Sequence, residues 1–201
     1  MHKESAGFGD IANATLIKTA DFVEQVGMEG HYVAQCFDKD GNLKWEDKIE
    51  NLVVAVGKQL MLDTLLSGSS YSATVRMGLV SGASSPTYAA ADTQASHAGW
   101  LESGLANAPT YSGGRPTITF GSATSSGTTP TNVTTKAGSA AVSFTFTGSG
   151  TVAGCFININ GSATVDDTTG TLYSAGSFTG GNKTVASSDQ LNVTYSTTAT
   201  S

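Results

Sequence analysis

The sequence predicts a mainly β protein: an antiparallel β-sandwich or jelly roll with one short α-helix and an extended N-terminal arm. Three observations carry that prediction. Gly, Ser and Thr dominate the second half of the 201-residue chain, a composition that favours short strands joined by turns. From Arg115 onward, strand-like runs alternate with turn clusters in "RPTITFG", "AAVSFTFTG", "TVAGCFINI", "GTLYSAGSF", "NKTVAS" and "LNVTYSTT". Only one segment, near residues 58–66, has apolar residues at helical spacing.

Taken in order, residues 1–30 read as an arm. Isolated apolar residues among glycines give no sustained period, so the segment cannot bury enough surface alone to offset its ordering entropy. Its candidate partner-binding anchors are Phe8, Ile11, Leu16, Ile17, Phe22 and Val23, with coverage of the protein's own sheet as the alternative. The remainder, 31–201, forms the β domain. It opens with a hairpin over 31–56, in which "DKDGN" supplies Asp-Gly turn chemistry. A helix follows over 58–66. Gly57 is expected to turn the chain from strand to helix, and the Leu60–Leu66 stripe to plug an open end of the sheet core. "ATVRMGLVSG" reads as a strand and "ASSPTYAAADTQASHAGWLES" as a long loop in which His97 and Trp100 are anchoring residues. In "SFTFT", Phe144 and Phe146 share one face and Ser143, Thr145 and Thr147 the other.

Charge narrows the function. Residues 1–102 hold 7 Lys/Arg and 13 Asp/Glu, and residues 103–201 hold 3 of each, so the net −6 lies in the first half. Neither half has the basic stripe that phosphate neutralisation requires, which argues against a nucleic-acid partner. No segment approaches the ~18 apolar residues of a membrane span, and "MHKESAGFGDIANA" lacks the apolar core of a secretory signal, so synthesis in the cytosol is expected. Cys36 and Cys155 lie far apart inside apolar runs and read as small buried hydrophobes.

Catalytic and metal patterns fail one by one. A calcium loop starting at Asp38, with Asp40 and Asn42, would need Gly at its sixth position and Glu at its twelfth, where Leu43 and Ile49 stand. Asp166–Asp167 read as a solvated turn. The three histidines are His2, His31 and His97, and His97 near Asp92 has no nucleophile elbow to serve. Paired carboxylates for glycoside hydrolysis are missing from a β-rich half whose only acids are Asp166, Asp167 and Asp189. No enzyme, cofactor or metal is expected.

One resemblance remains. "GNLKWEDKIENLVVAVGKQLMLDTLL", "VRMGLVSG", "AADTQASHAGWLE" and "GTLYSAGSFTGGNKTV" resemble a family of tailed-bacteriophage structural proteins from about Gly41 to Ser196. Gln94 stands where that family usually has Met, and the arm and "GSATSSGTTPTNVTTKAG" fall outside the pattern. The resemblance implies a virion protein, and the uncharged β-domain with its arm favours a capsid decoration or cement protein. Its partners would then be its own copies, as a trimer, and the major capsid protein, at the capsid surface. The alternative is a tail adaptor or tail fibre, with receptor- or glycan-binding loops bearing Tyr88, Trp100 and Tyr111.

Overall fold

The computed structural model describes residues 27–66, 72–83, 85–126 and 133–200. Six strands make the body: β1 (Gly27–Phe37), β2 (Leu43–Val53), β3 (Val75–Ser81), β8 (Gly150–Ile159), β9 (Thr171–Phe178) and β11 (Gln190–Thr200). Shorter strands flank them: β4 (Thr117–Ile118), β5 (Thr124–Ser126), β6 (Val133–Ala137), β7 (Val142–Thr145) and β10 (Lys183–Val185). The helix α1 spans Ala55–Leu66. The protein is therefore mainly β and antiparallel, as the turn-rich second half predicts.

The strands pair into one hydrogen-bonded sheet, in the order β4-β3-β8-β9-β2-β1-β11-β6-β5, with β10 on β8 and β7 on β11. That sheet is nearly closed into a barrel. Just beyond β4, Phe120 bridges Gly138 just beyond β6. The Gly121 N–H donates to Ala137 O at 3.0 Å and the Ser139 N–H to Thr119 O at 2.7 Å, so the chain leaving β4, at one end of the order, meets the chain leaving β6, next to the other end. Rolling a sheet onto itself removes the unpaired edges that would otherwise recruit other strands.

Period-2 alternation explains the interior. In β1, Tyr32, Ala34 and Cys36 face inward opposite Tyr195, Val193 and Leu191 of β11. Phe144 and Phe146 also point inward while Ser143 and Thr145 stay exposed. Strands β3, β8 and β9 are buried on both faces, which is why "TVAGCFINI" shows a continuous apolar run instead of alternation. Their inner residues, including Met77, Cys155 and Ile157, join the barrel core. Their outer residues, Val80, Ala153, Phe156, Leu172 and Ala175, form a second core with Val54 and Trp100. Both cysteine thiols are free and buried. Burial first, then the Asp189 carboxylate, pushes Cys36 up to about 11, so its thiol stays protonated and inert at neutral pH.

Three expectations change. Strand β1 begins at Gly27, so residues 27–30 of the span expected as an arm belong to the sheet, and the anchors Phe8, Ile11, Leu16, Ile17, Phe22 and Val23 lie outside the described residues. The helix begins at Ala55, and Gly57 sits inside it rather than at a strand-to-helix turn. A Cβ at Gly57 would come within 2.5 Å of Tyr173 O and 2.9 Å of Tyr173 Cα, so close helix-on-strand packing demands the glycine. The same Tyr173 carbonyl accepts the Val54 N–H at 3.1 Å. Replacing Gly57 with Ala should gain about 1 kcal/mol of helix propensity and still lower stability, because forcing α1 off β9 costs about 1–3 kcal/mol. Urea denaturation would show a stabilised variant if the packing were loose.

The leucine stripe is the third correction. Val56, Gly57, Leu60, Met61 and Thr64 form the inward side of α1, with Val56 on the second core and Met61 on the barrel core. Leu62, Leu65 and Leu66 are instead 59%, 77% and 77% exposed. The helix is apolar almost all round, so spacing alone could not say which leucines face the sheet.

Candidate assembly surface

The long segment between β3 and β4 lies over the outer face of β3, β8 and β9, and Trp100 fixes it there. Trp100 is 1% exposed, with its ring 5.0 Å from that of Phe156. His97 stacks on it at 3.8 Å and 16°, and His97 Nδ1 lies 3.1 Å from Trp100 O. Trp100 Nε1–H donates to Asp92 Oδ2 at 3.3 Å, and the same oxygen accepts the Ala89 N–H at 3.0 Å. The one His–Asp pair that invited a triad is thus engaged with Trp100, and each partner of His97 given above is aromatic or backbone.

Buried polar pairs hold the rest of this segment. Gln94, 3% exposed, accepts Asn158 Nδ2–H of β8 at 2.8 Å, so its polar side chain is satisfied inside the fold. Arg115 Nε–H and Nη2–H donate to Glu102 Oε1 and Oε2 at 2.8 and 2.6 Å. Arg115 Nη2 also reaches Asp167 O at 2.8 Å, and the Asp166 N–H donates to Glu102 Oε2 at 2.9 Å. This bidentate pair ties the segment to the turn after β8. Burial pushes the Glu102 carboxyl up while Arg115 pulls it down.

The aromatics expected to be exposed for glycan stacking are not. Trp100 and Tyr111 are 1% and 6% exposed, and the half-buried Tyr88 shares a hydrogen bond with Ser177 Oγ at 3.0 Å. Burial raises the Tyr88 phenol to about 12. Each ring has apolar sheet surface beneath it, and covering that surface outweighs exposure to water.

At the turn after β9, "GSFTGGNKTV" has an equally local explanation. Asp47 of β2 accepts Thr179 Oγ1–H at 2.7 Å, the Gly180 N–H at 3.0 Å and Lys183 Nζ at 2.6 Å. Gly181, with φ +75°, makes the turn that allows this. Burial pushes the Asp47 carboxyl up, but these donors outweigh it and hold the group down at about 2. A depressed folded-state value means the stabilisation is fully present above the unfolded value near 4 and lost as pH falls towards 2. Asp47→Asn should therefore cost about 1 kcal/mol at pH 7 and nothing near pH 2, after allowing for solvent screening. Denaturation of both proteins across that range tests it.

What stays open lies at one end of the barrel. A cavity of about 340 Å³ is lined by Met28 of β1, Met61 of α1, Phe120, Ile157 and Ile159 of β8, and Tyr195 of β11. Lys136 stands at its edge, 5.9 Å over the Phe120 ring, and donates to Gly121 O at 2.9 Å. Met61 places α1 against this mouth, so the exposed Leu62, Leu65 and Leu66 belong to the same helix that lines it. The cavity escaped sequence reasoning because its walls come from separate strands, one alternate residue at a time. The exposed leucines left a signal, an excess of apolar residues on one short helix.

Among the described residues, no group of three or more His, Cys, Asp or Glu could hold a metal ion, and no helix is long and apolar enough to cross a membrane. Compared with protein-family models, curated proteins and solved structures, the chain matches none.

Proposed function

We propose that this protein is a non-enzymatic structural protein of a tailed-phage virion, a decoration or cement protein that stabilises the capsid shell. The observation that carries this reading is the apolar surface of α1. Three leucines more than half exposed leave unused burial of about 1.5–3 kcal/mol each, which a protein partner can supply. The resemblance over Gly41–Ser196 points to the same kind of partner. The protein's own copies, as a trimer, and the major capsid protein are the proposed contacts, with the arm reaching a neighbouring subunit. Repeated placement on a lattice turns modest contacts into durable attachment. The jelly-roll or sandwich form belongs to this proposal, as a flattening of the nearly closed sheet. Low charge and the absence of a basic stripe support a partner that is neither nucleic acid nor membrane.

The test replaces Leu62, Leu65 and Leu66 together with Ser. Exposed positions tolerate such changes within about 0.5 kcal/mol each, so the variant should remain folded. It should fail to co-sediment with particles lacking the protein, whereas the parent co-sediments. Equal attachment by both would rule out α1 as the contact surface.

A further inference from the structure

We infer that the barrel mouth binds a medium-chain carboxylate end-on, with the aliphatic chain inside the cavity and the head group on Lys136. Residues of β1, β3, β6, β8, β9, β11 and α1 line the space, so it is a ringed hole rather than a groove along one edge. Its volume of about 340 Å³ lies at the small end of the range of about 300–1,000 Å³ usual for ligand sites, which suits one slender chain better than a strand or helix of a partner. The lining runs inward along β11 from Ala199 to Tyr195 and along β8 from Ile159 to Ile157. Four residues of strand cover about 13 Å, roughly the reach of an extended ten-carbon chain. These walls are apolar, and the Thr197 hydroxyl among them donates to Glu29 O at 3.1 Å. Small barrels have room at the mouth for one ligand of this size.

Lys136 sets the polarity. Among the described lining residues it carries the one charge, and it is exposed at the rim. Its ammonium meets neutral groups, the Phe120 ring at 5.9 Å and Gly121 O at 2.9 Å. The acids of the second half are engaged elsewhere: Asp166 accepts the Ala106 N–H, Asp167 the Thr169 N–H, and Asp189 pairs with Lys44. A carboxylate at the rim therefore finds a cation while keeping much of its water, and only the apolar chain is desolvated. This site does not depend on the virion reading, and the two fail in different experiments.

Isothermal titration of the full chain with decanoate, below the concentration at which it forms micelles, tests it. Binding should saturate at one decanoate per chain. From hexanoate to decanoate each added methylene should tighten it about fourfold. Decanoate should bind about fivefold more tightly than decanol, and decyltrimethylammonium more weakly still. Lys136→Gln should remove that fivefold preference and leave decanol affinity unchanged. Ala199→Phe, which fills the rim, should abolish binding of both, with the urea midpoint showing that the barrel stays folded. No binding to the parent, or uptake without saturation, would overturn the site. Equal affinity for decanoate and decyltrimethylammonium would overturn the role of Lys136. Full binding by a folded Ala199→Phe protein would place the ligand elsewhere and overturn the assignment. Affinity that falls as protein concentration rises would overturn it in favour of a second copy over the mouth.

Discussion

Glu102→Gln is expected to remove about 3–5 kcal/mol of folding stability, a large share of the 5–15 kcal/mol typical of a domain. The Arg115 side chain is fully enclosed, and two of its donors are spent on the Glu102 carboxylate at 2.8 and 2.6 Å. The amide left by the substitution can accept one of those bonds but supplies no countercharge, so a guanidinium stays buried without its partner. The Asp167 and Ser162 carbonyls still accept from Arg115, which keeps the loss below that of an isolated buried charge. Replacing both residues, as Glu102→Leu with Arg115→Met, should restore most of the stability, because the desolvation cost disappears with the pair. Urea denaturation of the single and double variants measures this. A single-variant loss under about 1 kcal/mol would mean that the pair does not clamp the long segment to the turn after β8.

Trp100→Ala should cost a comparable amount, about 3–5 kcal/mol, through a different mechanism. Trp100 is the largest side chain of the second core, touching Phe156, Tyr88 and His97. Its removal leaves a void over β8 and frees the stacked His97. Trp100→Phe separates packing from polarity: it keeps most of the ring contact and loses the Asp92 hydrogen bond, for roughly 1 kcal/mol beyond the change in volume. Near-ultraviolet circular dichroism should show the loop's aromatic signal lost in the Ala variant and retained in the Phe variant. A Trp100→Ala protein as stable as the parent would contradict a packing role and reopen a role in ligand contact.

Particular residues show why some features were legible in the sequence and others were not. Strand periods were readable where the outer face is polar, as at Phe144 and Phe146 among Ser143, Thr145 and Thr147. In β1 the apolar Val33 and Phe37 blur the alternation of Tyr32, Ala34 and Cys36. Closure of the sheet was not readable, because it depends on a single bridge between Phe120 and Gly138, both in turn-rich sequence. Gly57 was singled out, yet its reason lay in Tyr173, more than a hundred residues away. Composition could not orient α1, since leucines occur on both its sides. His97 stacks on Trp100 beside Phe156, and Tyr88 and Tyr111 lie against the protein's own body, contacts that composition does not display.

The proposed virion role depends on numbers of molecules rather than on chemistry. The most direct measurement is the copy number of this protein per purified particle, by quantitative mass spectrometry against the major capsid protein. A decoration protein that repeats with the shell lattice should be present in hundreds of copies. A dozen copies or fewer would contradict the shell assignment and move the protein to the tail.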